Sequence, residues 1–209
     1  MTKNELTHPI QKGNITSFYQ DSESELWIGS WEEGLFRVKA DGTIENFKYN
    51  AKDPHSLSSN FVRACCEDNL GNIWIGTFNG LNRYNKITGL FQNHTANDTQ
   101  ADGLTHSSIW CIVKDNQGTL WLGTYFGGVN YFNPEYEIYT RYSYSSNEKK
   151  GLSNPVVGRT IEDKDGNLWI GTEGGGLNYY NRRTREFKWY RPQEGRNSIS
   201  HNNVKSALL

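Results

Sequence analysis

Four tryptophans at a fixed spacing constrain this chain more than any other feature. Trp27, Trp74, Trp121 and Trp169 lie 47, 47 and 48 residues apart. Each sits in the same short motif: Leu26-Trp27-Ile28-Gly29-Ser30, Ile73-Trp74-Ile75-Gly76-Thr77, Leu120-Trp121-Leu122-Gly123-Thr124 and Leu168-Trp169-Ile170-Gly171-Thr172. A self-similar period of this length signals a repeat architecture, in which each unit buries its apolar faces against its neighbours.

Around each tryptophan the other parts of the unit recur. A strand pattern ending in aspartate comes first: Ile15–Asp21, Val62–Asp68, Ile109–Asp115 and Val157–Asp163. A hairpin turn follows, as in Asp68-Asn69-Leu70-Gly71-Asn72, where Asp opens the turn and Gly supplies the positive φ. Asp21-Ser22-Glu23-Ser24-Glu25 has no glycine, so a less well formed turn is expected there. After the Trp strand come a Gly-rich connection, a third strand (Gly80-Leu81-Asn82-Arg83-Tyr84 in the second unit) and an aromatic fourth strand. The fourth strands are read as Phe47–Tyr49, Phe91–His94, Tyr136–Tyr142 and Phe187–Tyr190. The glycine after each tryptophan leaves room for a neighbouring element to pack closely.

Four strands per unit and no helical periodicity predict an all-β chain of β-propeller blades, each a four-stranded antiparallel sheet. The boundaries read as the end of a preceding blade at 1–13, blades at 14–60, 61–107, 108–155 and 156–202, and the first strand of a fifth at 203–209. Leu6-Thr7-His8 matches Leu104-Thr105-His106, which is why the first segment reads as the tail of an earlier unit. The chain is expected to be a fragment of a larger propeller.

Composition narrows the function. With 22 basic and 23 acidic residues the net charge is −1, which gives no electrostatic reason to expect nucleic acid or an anionic membrane. No apolar run is long enough to span a bilayer, and the N-terminus lacks the apolar segment of a signal peptide. Cys65, Cys66 and Cys111 are odd in number and two are adjacent, so they read as small buried side chains and not as a disulfide framework. Asp163-Lys164-Asp165-Gly166-Asn167 lacks the spacing and distal glutamate of a calcium loop. Gly174-Gly175-Gly176 leads into a strand and not a helix, which argues against a phosphate cradle. No metal, cofactor or catalytic motif is visible.

Candidate binding residues follow from up-and-down connectivity. The loops from second to third strand and the segments entering each first strand share one face. The former carry Trp31, Glu32, Glu33, Phe78, Asn79, Tyr125, Phe126 and Glu173. The latter carry Asn60, Arg63, His106, Trp110, Asn154, Arg159 and His201. These positions vary among units while the scaffold repeats, as a recognition surface would. Aromatic rings with Asn, Glu and Arg around them suit an oligosaccharide. The alternatives are that the rings pack between blades, that the chain is a protein-interaction or dimerisation scaffold, or that Glu32, Glu33 and Glu173 serve a propeller lyase or glycosidase.

WD40 signatures are absent, and the kelch Gly-Gly pair would precede the tryptophan. The unit instead resembles the two-component regulator propeller repeat. Glu162-Asp163, Gly166-Asn167, Leu168–Thr172, Gly175–Asn178 and Tyr180-Asn181 carry the pattern. The first unit departs most, with Ser30 for Thr and Trp31-Glu32-Glu33-Gly34 for the glycine stretch. The resemblance implies the extracytoplasmic sensor part of a bacterial hybrid two-component kinase, of the kind that controls glycan use in Bacteroidetes. It implies a periplasmic location, a non-catalytic propeller and, as partners, a second copy or the remaining blades of a larger propeller.

Overall fold

The computed structural model describes residues 10, 14–96, 103–134 and 138–205, the side chains of 138 and 139 excepted. Leu6-Thr7-His8 and the last four residues of the expected fifth blade lie outside these. Two compact units form, Met1–His94 and Thr95–Leu209, and each holds two blades.

Every blade is a four-stranded antiparallel sheet in sequential order. In the first unit these are β1(Ile15–Gln20), β2(Leu26–Ser30), β3(Leu35–Val38), β4(Ile44–Phe47), then β5(Val62–Glu67), β6(Ile73–Thr77), β7(Gly80–Asn85), β8(Leu90–His94). The second unit has β9(Ile109–Lys114), β10(Leu120–Thr124), β11(Val129–Asn133), β12(Ile138–Tyr142), then β13(Val157–Glu162), β14(Leu168–Thr172), β15(Gly176–Asn181), β16(Glu186–Tyr190). A short 3-10 turn spans Glu148–Lys150. The expected all-β architecture is present. The first fourth strand differs in position: it ends at Phe47, and only Tyr49 makes a further isolated bridge, to Leu57.

Each aspartate that ends a first strand does two jobs. One carboxylate oxygen of Asp68 accepts from the backbone N–H groups of Leu70 and Asn72 at 2.9 Å, and the other accepts the Trp74 indole N–H at 2.7 Å. Asp21 with Trp27 (2.9 Å), Asp115 with Trp121 (2.7 Å) and Asp163 with Trp169 (3.2 Å) repeat the arrangement. Both oxygens are therefore satisfied, and at the buried Asp21, Asp68 and Asp115 an unpaired carboxylate would be costly. The first hairpin is as regular as the others, contrary to the expectation from its missing glycine. Ser24 takes φ 65°, and Asp21 N–H and Ser24 N–H bond to Glu25 and Asp21 carbonyls at 3.0 and 3.1 Å.

Strand alternation then assigns the faces. Trp27 looks toward the second blade, whose Ile73, Ile75, Tyr84 and Phe91 look back, and together with Leu35, Leu57, Val62 and Cys65 they form one core. Trp121, Val129, Leu152, Val157, Leu168, Ile170, Tyr180 and Phe187 form the corresponding core of the second unit. Gly29 and Gly123, two residues after their tryptophans, are notches that let the next blade in: a Cβ on Gly29 would lie 2.8 Å from Val62 Cγ1, and one on Gly123 2.8 Å from Val157 Cγ1. All three cysteines are free and buried, and burial pushes the Cys65 thiol up to about 12, as small core side chains should behave.

Connections between blades are pinned from the third strand. Asn82 Oδ1 accepts Ser58 N–H at 2.8 Å, Asn130 accepts Thr105 N–H at 3.0 Å and Asn178 accepts Ser153 N–H at 2.8 Å. The first blade has Phe36 at this position, fully buried. A second tie joins neighbouring blades. Lys86 Nζ reaches Asp21 at 2.8 Å and Glu67 at 2.9 Å, while Glu67 also accepts Ser22 N–H at 2.8 Å. In the second unit Arg182 reaches Asp115 at 2.9 Å, and Glu162 accepts Asn116 N–H at 3.0 Å.

Candidate functional site

The loops that leave each Trp strand are tied to the segments that enter the first strand of the same blade. Trp31 N–H donates to Asn14, Phe78 to Phe61, Tyr125 to Ser108 and Glu173 to Val156, at 2.8 to 3.0 Å. Both segment types therefore lie together at one end of each sheet, as connectivity predicts. Each first strand also breaks register there. The shifts fall between Ile15 and Ser17, Val62 and Ala64, Gly123 and Thr124 opposite Trp110, and Val157 and Thr160. A bulge re-aims the residue that it contains. Arg63 and Trp110 occupy it in the second and third blades, and Gly158 with Arg159 in the fourth.

In the first unit this builds an aromatic and cationic cluster. The Arg63 guanidinium carbon lies 5.4 Å from the Trp31 ring centroid and 5.4 Å from that of Phe78. Phe61 joins them, edge-on to Trp31 at 5.4 Å and tilted to Phe78 at 6.1 Å. Such placement is favourable for a guanidinium over a ring face. Trp31 and Phe78 remain 40 % and 54 % exposed, so they present rings to solvent and do not serve as core between blades. Glu33 is held by Lys48 at 2.6 Å, whereas Glu32 and Asn79 are exposed.

In the second unit Trp110 stacks on Tyr125 at 5.8 Å, Tyr125 meets Phe126 edge-on at 4.3 Å, and His106 lies 6.2 Å from Phe126. Phe126 is 56 % exposed. Glu173 lies 3.8 Å from Lys205, and Arg159 is exposed on the bulge of β13. Four entry-segment residues make local hydrogen bonds. Asn60 accepts Tyr49 N–H, His106 Nδ1 accepts Ser108 N–H, Asn154 accepts Val156 N–H and His201 Nδ1 accepts Asn203 N–H. Phe61 was missed by sequence reasoning, although its place directly before the strand's first apolar residue was a usable signal.

Asp163 shows how the backbone of an acidic turn occupies its carboxylate. Its carboxylate accepts Asp165 N–H at 3.0 Å and Asn167 N–H at 2.9 Å, so the backbone fills it. The cluster Asp21, Glu23 and Glu25 is similarly occupied, by Lys86 and Arg37.

Sheets of this order, joined blade to blade through Trp, Gly and Asp at fixed positions, define a β-propeller repeat protein. The family model for the two component regulator propeller matches residues 9–32, 56–79, 103–126 and 151–174, one match for each blade. The chain belongs to that family. Among solved structures it is similar to the extracellular domain of the hybrid two component system BT4673 of B. thetaiotaomicron, with 26 % identity and a TM-score of 0.71 over 85 % of this chain and 25 % of that one. The corresponding domain of BT3049 from the same organism gives 18 % identity and a TM-score of 0.72, over 99 % of this chain and 32 % of that one. The chain thus spans about a quarter to a third of these proteins' described length. Virginiamycin B lyase from Staphylococcus aureus shares the fold alone, at 13 % identity and a TM-score of 0.65 over 91 % of this chain and 59 % of that one. No curated protein matches. Among the described residues no helix is long and apolar enough to cross a membrane.

Proposed function

We propose that this chain is part of the ligand-recognising propeller of a bacterial hybrid two-component sensor, positioned outside the cytoplasm, and that its loop clusters take a carbohydrate. The observation that carries this reading is the exposure of aromatic rings on the loops whose residues vary between blades. Trp31 and Phe78 are wedged by Arg63, and Phe126 is supported by Tyr125. Rings held rigidly in water match the apolar faces of sugars, and nearby Glu, Asn and Arg match hydroxyls. The likeness to the extracellular domain of BT4673 supports the sensor part of the reading. Recognition fits better than catalysis, because Glu33 is paired with Lys48 and Glu173 lies beside Lys205.

Calorimetry against a panel of neutral and acidic oligosaccharides tests the proposal. Heat with at least one glycan, lost in Trp31→Ala or Tyr125→Ala, is the expected outcome. No heat with any member, or affinity unchanged in both variants, would remove these sites.

A second reading, association with further blades or a second copy, draws on Phe18, which is 67 % exposed on the outward face of β1. Sedimentation at increasing protein concentration, with Phe18→Ser as control, separates it from ligand binding: only association raises the mass without ligand.

A further inference from the structure

The two units treat one equivalent junction differently. In the first, Arg37 stands opposite Trp27 and Glu45 opposite Arg37 in the register, and Glu25 directly precedes the Trp strand. Arg37 Nε binds Glu25 at 2.6 Å, a longer contact of 3.5 Å joins it to Glu45, and its guanidinium carbon lies 5.3 Å from the Trp27 ring centroid. This charged triad fills the space beside the tryptophan.

In the second unit the same register places Tyr131 opposite Trp121 and Thr140 opposite Tyr131, with Thr119 where Glu25 would be. Acid, base and acid have become threonine, tyrosine and threonine. The space they leave is a cavity of about 350 Å³, lined by these three residues, by Trp121, Tyr142 and Tyr180, and by Asp115 and Gln117. That volume lies within the usual range for small-ligand sites, roughly 300–1,000 Å³. Its other walls are ring faces and hydroxyls. Trp121 stacks on Tyr131 at 5.1 Å, and the Tyr142 and Tyr180 hydroxyls meet at 2.6 Å. Burial, with the Tyr180 bond, pushes the Tyr142 phenol far above its usual range, so it stays a neutral donor and acceptor.

Two arginines complete the lining. Arg182 is committed: it binds Asp115 at 2.9 Å and lies over the Trp121 ring at 5.4 Å. Arg185 is different. The turn holds it at φ 59°, and it pairs with no acid among the described residues. Because Arg182 offsets the Asp115 carboxylate, a cavity of hydroxyls and rings with one uncommitted guanidinium suits a small polar ring that carries an anionic group.

We propose that the junction between the blades β9–β12 and β13–β16 is a ligand site, separate from the loop clusters, for a monosaccharide-sized polyol bearing a carboxylate or phosphate. The inference does not depend on the loop-cluster reading, since it rests on other residues.

The test is calorimetry on the 209-residue chain with glucuronate, glucose 6-phosphate and neutral glucose as probes. The triple variant T119E/Y131R/T140E copies the filling found in the first unit and should abolish binding. Arg185→Gln, which keeps length and removes charge, should weaken the acidic probes by roughly tenfold or more, the scale of one charge-assisted bond. Trp31→Ala should leave them unchanged. If the triple variant melts early, Arg185→Gln and Tyr131→Arg carry the test. No heat from either acidic probe overturns the proposal, and so does heat that survives all these junction variants. Equal affinity for neutral glucose overturns the anionic assignment, and a loss caused by Trp31→Ala moves the ligand to the loop cluster.

Discussion

The Trp74 indole N–H donates to Asp68 at 2.7 Å, and the same carboxylate caps the hairpin from which the Trp74 strand begins. Turn and strand therefore share one anchor. Trp74 is fully buried, so Trp74→Ala should cost about 3–5 kcal/mol. Trp74→Phe keeps most of the area and removes one of the two donors to that carboxylate oxygen, the other being the Asn72 amide at 3.0 Å, at a cost of about 1–3 kcal/mol. Urea unfolding of the two variants separates ring from hydrogen bond. A phenylalanine variant as stable as the parent would deny the anchor its role.

Lys86 should dominate the pH dependence of the first unit. Burial raises the Asp21 and Glu67 carboxyls, but hydrogen bonds from Lys86, with Trp27 and Ser22, outweigh it and hold both below their ordinary 3.8 and 4.5. Depressed carboxylates contribute stability that is present above the unfolded pKa and lost as pH falls through the folded one. For Lys86 burial lowers the pKa, and the bonds to Asp21 and Glu67 outweigh that and raise it above 10.5, so its share is lost only on going more alkaline. The tie is complete between about pH 4.5 and 10.5. Lys86→Met should cost about 3–5 kcal/mol inside that window, because two carboxylates are left buried. The gap between variant and parent should narrow near pH 3 in the same urea titration.

Glu67 and Glu162 occupy the same position but should respond unequally. Glu67 is hydrogen-bonded by Lys86 and Ser22. Glu162 lies 3.5 Å from Arg182, and burial pushes its carboxyl above the ordinary value. A raised carboxyl gains little from ionising in the fold. Glu67→Gln should cost about 1–3 kcal/mol and Glu162→Gln less than about 1 kcal/mol. Parallel melts of the two variants check the order.

Ser24→Gly should stabilise. Ser24 holds φ 65° where the other hairpins use Gly71, Gly118 and Gly166. Left-handed conformation costs a non-glycine residue about 1 kcal/mol, and glycine's extra unfolded-state entropy returns part of that. A net gain of about 0.5 kcal/mol is expected, and an unchanged or lower melting temperature would mean that the serine carries no strain.

The period of the tryptophans made the blades legible, because strand alternation and turn chemistry agree in every copy. The loop clusters were partly legible for the same reason: Trp31, Phe78 and Tyr125 occupy one repeat position with different side chains. What stayed hidden depends on geometry between strands. The bulges that re-aim Arg63 and Trp110 leave no mark in composition. The first hairpin was misjudged because Asp21 and its backbone bonds force Ser24 into a conformation that propensity disfavours. The cavity beside Trp121 is visible only when Thr119, Tyr131 and Thr140 are brought together by register, since they are scattered along the chain. Asn82, Asn130 and Asn178 recur plainly in the sequence, but their partners, Ser58, Thr105 and Ser153, precede them by 24 or 25 residues.

The glycine notches imply a rule for how such chains can grow. Gly29 receives Val62, Gly123 receives Val157, and Gly171 is closed by Val204. Tooth and notch belong to consecutive copies, so no single copy is self-sufficient, yet all are interchangeable. Duplicating or deleting a whole copy keeps each tooth facing a notch. Tooth and notch are 33 residues apart in the first and last of these pairs and 34 in the middle one, so the loops between them absorb single residues. Large changes of length should therefore come as whole repeats, while loop tips change freely.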